Sequence, residues 1–193
     1  MPITPFHFGP GILFKAIGGT QVSWTSFALA NGLVDLEPIV LFLTTGIPDH
    51  RFFHTFPGIT VVGLLTPWPG IYLCRWWLVK WNQWLSPTQY RWYGVSTNVT
   101  YVPVLVGAML GVWSHLILDS VMHWSMQPFW PFSQSNPFKE QFSIEALHIG
   151  CVLAAALGLI LMLLRKIYEM IHSRSDHDRA SAYRGNGNEK GRR

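Results

Sequence analysis

Residues 99–118, VTYVPVLVGAMLGVWSHLIL, run for 20 positions without a formal charge. A helix needs about 20 apolar residues to cross the hydrocarbon core of a bilayer. A second run, ALHIGCVLAAALGLILMLL at 146–164, covers 19 residues and is followed at once by Arg165 and Lys166. Such segments constrain the fold because lipid offers no partner for a backbone amide, so only helices and closed barrels can span it. No stretch of useful length alternates with the period of a strand. The sequence therefore predicts an all-α fold, a polytopic membrane helical bundle of four or more helical segments.

Composition agrees. Charged residues make up 12% of the chain, against about 25% in an ordinary soluble domain. Residues 1–164 hold six basic and six acidic side chains, so the net charge of +4 lies entirely in residues 165–193. The basic pI thus belongs to a tail, and the body has no surplus of cations with which to bind nucleic acid. Two cysteines, Cys74 and Cys151, lie in apolar surroundings and make neither a disulfide framework nor a zinc-finger spacing. The opening MPITPFHFGPGILFKAI has no basic region and no small-residue cleavage site, and no secretory signal is expected there.

Other segments are broken. Residues 52–74 are uncharged but carry Pro57 and the turn-like TPWPG of 66–70. IYLCRWWLVKWNQWL (71–85) sets Arg75 and Lys80 among four tryptophans, a pattern suited to an amphipathic helix at the bilayer interface. A short helix is expected over 9–19, and a second over 23–34, ending at Asp35 with Pro38 as an interruption. Segments 80–98 and 124–143 read as linkers. Residues 1–172 form one membrane-embedded domain on this reading, and 173–193, rich in Ser, Arg, Asp, Gly and Asn, a disordered basic tail. Basic residues mark the cytoplasmic ends of spans. Arg165, Lys166, Lys80, Arg91 and Lys15 then place the tail in the cytoplasm and the chain in an inner (plasma) membrane.

Polar residues in such a chain are informative, since a charged group at mid-bilayer costs about 2.5–3.5 kcal/mol on insertion scales. They cluster as His7; Asp35 and Glu37; Asp49, His50, Arg51 and His54; His115, Asp119 and His123; and Glu145 with His148. Residues four apart share a helix face, so His115, Asp119 and His123 form one row, and His50 and His54 can form another. Imidazoles and carboxylates so spaced suit Zn²⁺ or a similar divalent ion, which would also offset the cost of burying the carboxylates. Bland readings stand beside these. His7 sits near a terminus, His50 and His54 suit an interfacial loop, and Asp49 and Arg51 suit a solvated pair. Glu145 suits a helix N-terminus, and His148 a hydrogen bond to a neighbouring helix. The 115–119–123 row has no common packing explanation.

TPFHFGPG (4–11), DHRFFHT (49–55) and SHLILDSVMH followed by PFWPF (114–132) resemble, over residues 2–137, the YdjM-like membrane-bound metal-dependent hydrolases, a family described as LexA-binding and inner-membrane-associated. Where many members carry Pro-Asp-x-Asp before H-R-x-x-H, this chain has VDLEP. The order of ligand types is also distantly similar to that of zinc-dependent phospholipase C and P1-type nucleases, which would make His7, Asp35, His50 or His54, His115, Asp119 and His123 the ligands. Those enzymes end in H-x-x-x-E, whereas Glu145 and His148 stand in the reverse order. The resemblance implies a hydrolase that uses a divalent metal, zinc above all, to activate water against an ester or phosphoester, with membrane lipid as partner and a lipid or lipid-linked substrate. Asp49 is the expected general base by position, and Arg51 the expected partner of a phosphate oxyanion. The alternative is a non-enzymatic membrane protein, structural, regulatory or metal-carrying, built on the same cluster.

Overall fold

The structure is a computed structural model describing residues 5–46, 52–123 and 125–190, with side chains described to residue 172. Every regular element among the described residues is helical. The helices are α1 (Phe8–Gly18), α2 (Trp24–Thr45), α3 (Phe56–Leu65), α4 (Pro67–Trp84), α5 (Pro87–Tyr93), α6 (Tyr101–Met122) and α7 (Ile144–Lys190). Short 3₁₀ turns cover Pro5–His7, Gly19–Gln21 and Phe52–His54.

Among the described residues, three helices are long and apolar enough to cross a membrane: α2, α6 and the Ile144–His172 part of α7. A fourth is possible if α3 and α4, bent by 55° at their junction, count as one broken span. The expected break at 66–70 is thus a sharp bend, set by Pro67 at the start of α4, where a missing N–H costs nothing. Two sequence expectations need correction. The second helix does not stop at Asp35; α2 runs on through Pro38 to Thr45 and ends at Gly46 in the left-handed region (φ 76°). Pro38 is fully buried, and such a proline is tolerated where neighbouring helices hold the segment together. The 80–98 linker contains α5, opened by a reciprocal capping box between Ser86 and Gln89.

The central packing is α2 against α6, side by side and parallel. Ser23 donates its N–H to the carbonyl of Pro103 (3.0 Å), and the hydroxyl of Ser26 donates to that of Val104 (2.7 Å). Gly107 and Gly111 form the seam: a Cβ on Gly107 would strike the carbonyl of Ser23, and one on Gly111 that of Phe27. Small residues four apart let two helix backbones approach this closely. The row 107–111–115–119 on α6 therefore faces 23–27–31–35 on α2. Glycine brings the helices together in the first half, and polar side chains meet in the second.

α1 and α7 pack in the same parallel sense, with the backbone of Cys151 against Gly9 and that of Ile12 and Leu13 against Gly158. They run opposite to α2 and α6, so α1 starts at the end where α2 and α6 carry Asp35 and Asp119. The apolar core is Ala30, Val34, Ile59, Ala108, Val112, Leu116 and Met126. The outer faces of α4 and α7 expose large apolar side chains, among them Trp68, Tyr72, Trp76 and Trp84 on α4 and Leu153, Leu157 and Leu164 on α7.

Candidate metal centre

Five of the polar residues singled out in the sequence meet at one point: His7, Asp35, His54, His115 and Asp119. Each is at most 5% exposed. They come from four elements, the Pro5–His7 turn, α2, the Phe52–His54 turn and α6. Local chemistry holds the two turns in place. The Thr55 hydroxyl donates to the carbonyl of Phe52 (2.8 Å) and accepts from the N–H of Gly58 (3.1 Å), which caps α3 and fixes the turn carrying His54. Gly58 is needed there because a Cβ would collide with the Phe52 carbonyl. The N–H of Phe56 donates to the carbonyl of Pro128 (2.7 Å), tying this corner to the segment after α6. His7 lies at the join of its turn with α1, its ring 4.4 Å from that of His115 between centroids.

The imidazole Nε2 atoms all turn inward to the carboxylates. Nε2 of His7 is 3.2 Å from Oδ1 of Asp119. Oδ2 of Asp119 is 3.3 Å from Nε2 of His115 and 3.8 Å from Nε2 of His54. Nε2 of His115 is also 3.5 Å from Oδ1 of Asp35. Two overlapping sets have all three donor atoms within 4.8 Å of one another: His7, His115 and Asp119, and Asp35, His54 and His115.

The outward nitrogens are held by residues that sequence reasoning did not select as site residues. Nδ1 of His115 donates to the amide oxygen of Asn31 at 3.0 Å. Asn31 is oriented in turn by donating its own N–H to the carbonyl of Phe27 (2.9 Å). Nδ1 of His54 donates to Oε2 of Glu37 at 3.0 Å, and Glu37 also accepts from the N–H of Phe53 at 3.1 Å. A proton on Nδ1 leaves a lone pair on Nε2, the tautomer a metal requires, and carboxylate or amide partners behind ligating histidines are a recurrent feature of metal sites.

The donor set fits a divalent cation. On an ion with bonds of about 2.0–2.2 Å, neighbouring ligand atoms stand about 2.8–3.6 Å apart; the separations of 3.2, 3.3 and 3.5 Å fall in that range, and that of His54 from Asp119, 3.8 Å, lies just beyond it. Nε2 of His115 is buried and makes no hydrogen bond among the described residues, as expected of a nitrogen placed to coordinate. Two carboxylates buried side by side also call for positive charge.

The remaining expected site residues either belong to neither donor set or lie outside the described residues. His123 ends α6, its N–H donating to the carbonyl of Asp119 (2.8 Å). It belongs to neither donor set, though Asp119, His54 and His7 act on it electrostatically, and burial pushes its pKa below the usual range. Asp49, His50 and Arg51 lie outside the described residues. His148 stacks on Phe6, next to His7, with ring centroids 4.1 Å apart. Glu145 is exposed at the start of α7.

Comparison with known proteins adds no relative: no family model, no curated protein and no solved structure matches the chain.

Proposed function

We propose that this chain is a membrane-embedded, metal-dependent hydrolase of the YdjM-like kind, acting on an ester or phosphoester of a lipid or lipid-linked substrate. The observation that carries the reading is the convergence of five buried donors from four elements, two of them backed by Asn31 and Glu37 on the far side of the ring. His7, His54, His115, Asp35 and Asp119 would hold the ion. One lone pair serves one ion, and Nε2 of His115 belongs to both donor sets, which supports one centre rather than two. Three imidazoles with carboxylates suit zinc or a neighbouring first-row ion. When bound, such an ion supplies Lewis acidity and lowers the pKa of water from 15.7 toward about 7.

The chain's own groups have further parts in this reading. Asp119 faces the Nε2 atoms of His7, His54 and His115 and would share the ion with them. Glu37 holds His54 in its ligating tautomer and tethers the Phe53 backbone. By sequence position Asp49 is the general base that takes a proton from water, and Arg51 the cation that faces a phosphate oxyanion. The exposed tryptophans of α4, interspersed with Arg75 and Lys80, support an interfacial helix, and the bent α3–α4 pair a fourth crossing. The basic groups at 15, 80, 91, 165 and 166 support a cytoplasmic tail in an inner membrane.

The test is metal analysis of purified protein with hydrolysis assays on phosphodiesters and phospholipids, wild type against Asp119→Ala. Bound metal and hydrolysis that vanish together in the variant support the reading. Bound metal without hydrolysis on any substrate would leave a metal-binding membrane protein in its place, and no metal in either protein would overturn both.

A further inference from the structure

A second cluster lies at the opposite end of α1, away from the metal centre. Lys15 is half-buried and bends inward, donating from Nζ to the carbonyls of Gly19 (2.7 Å) and Val22 (2.9 Å). Gly19 has a positive φ (53°), and its N–H closes α1 on the carbonyl of Lys15. Arg165, from α7, lies directly over this turn: a Cβ on Gly19 would come within 2.7 Å of its Nη1. Among the described residues the one carboxylate on Arg165 is Glu169, which accepts from Nε at 3.1 Å. The two guanidinium η-nitrogens make no hydrogen bond among the described residues.

Two cations thus share one turn, and no acid among the described residues pairs with Lys15. Burial, and then the positive charge of Arg165, push the Lys15 pKa down. Charge anchors at span ends ordinarily snorkel outward into water; Lys15 does the opposite. Arg165 directly follows the apolar run ending at Leu164, a position where basic residues ordinarily meet the headgroups, and Lys15 shares its turn. Ile17, Leu164 and Tyr168 flank them, each more than half exposed, and offer apolar surface for acyl chains. A planar guanidinium beside an ammonium is a donor set suited to phosphate oxygens. A zwitterionic headgroup would bring a third cation to the same place.

We propose that Lys15, the Gly19–Val22 turn and Arg165 form a site for the phosphate of an anionic phospholipid. The site is independent of the metal centre and of the hydrolase reading.

The full-length protein in detergent would be titrated with phosphatidylglycerol or phosphatidylcholine of matched acyl chains, and bound lipid counted by native mass spectrometry. Glycerol 3-phosphate would be the soluble competitor. One basic group near an anionic lipid changes binding by about fivefold. Wild type is expected to prefer phosphatidylglycerol, Arg165→Gln to lose about fivefold, and Lys166→Gln to lose little. Lys15→Met should match Arg165→Gln; if it fails to fold, the Arg165 and Lys166 variants decide. Equal losses in Arg165→Gln and Lys166→Gln would show diffuse attraction and overturn the site. No preference between the lipids would overturn it too, as would displacement of lipid by millimolar glycerol 3-phosphate.

Discussion

The amide oxygen of Asn31 lies 3.0 Å from Nδ1 of His115, and both side chains are fully enclosed between α2 and α6. The contact determines which imidazole nitrogen carries the proton, and so which one faces the carboxylates. Asn31→Leu keeps the approximate volume but removes the acceptor, leaving a buried N–H without a partner and the ring free to choose the other tautomer. Metal affinity should fall about 10–100-fold, measured by competition with a chromophoric chelator, while far-UV circular dichroism stays that of the wild type. Unchanged affinity would mean that the ring is held by packing alone.

Glu37 permits a finer division. Glu37→Gln keeps an acceptor for Nδ1 of His54 and for the Phe53 N–H but removes the charge. Glu37→Ala removes both bonds. If orientation matters most, the Gln variant should retain most of the affinity and the Ala variant lose about 10–100-fold. Equal losses would instead assign the effect to charge.

These two residues also show what was legible in the sequence. The α6 row was legible because His115 and Asp119 stand four apart in an otherwise uncharged span, where lipid makes polarity expensive. His7, Asp35 and His54 could be named for the same reason. Asn31 carries no charge, and polarity alone does not mark it in ALANGLV. Its signal was positional: it is four residues before Asp35, as His115 is before Asp119, so two matching rows face each other. Glu37 was visible as an intramembrane acid, but its partner His54 is 17 residues away across a connection that spacing does not describe. By the local rule Pro38 interrupts a helix, but that rule ignores neighbours that hold a proline-containing helix in place. The glycines at 107 and 111, four apart, were the available sign that α6 packs against another helix at very short range.

Gly111→Leu should disturb stability and the centre together. The added side chain meets the Phe27 carbonyl and the Asn31 amide, so α2 and α6 must separate and Asn31 must move from His115. Overpacking of this kind costs about 1–3 kcal/mol. Gly32→Ala is the matched control on α2, since a Cβ there meets nothing within 4 Å. It should be neutral or stabilising by up to about 1 kcal/mol. Thermal unfolding in detergent and metal content, recorded for both variants, check the pair. A Gly111→Leu protein with wild-type metal content would remove the seam from the account of the site.

The shared His115 makes the metal stoichiometry a test of the single-centre reading. If both donor sets describe one centre, the purified protein should hold one divalent ion per chain. Asp119→Ala, which removes the carboxylate facing three imidazoles, should abolish binding. His123→Ala, outside both sets, should keep the stoichiometry at one. Chelation should lower the unfolding temperature of the wild type, and readdition should restore it. A ligand that binds only the folded state at 100 times its dissociation constant stabilises it by about 2.7 kcal/mol. The Asp119→Ala protein should show no such shift, because it has no ion to lose. Two ions per chain in the wild type would contradict the single-centre reading and call for a bridging carboxylate or for ligands beyond these five. One ion lost on His123→Ala would instead move His123 into the coordination sphere.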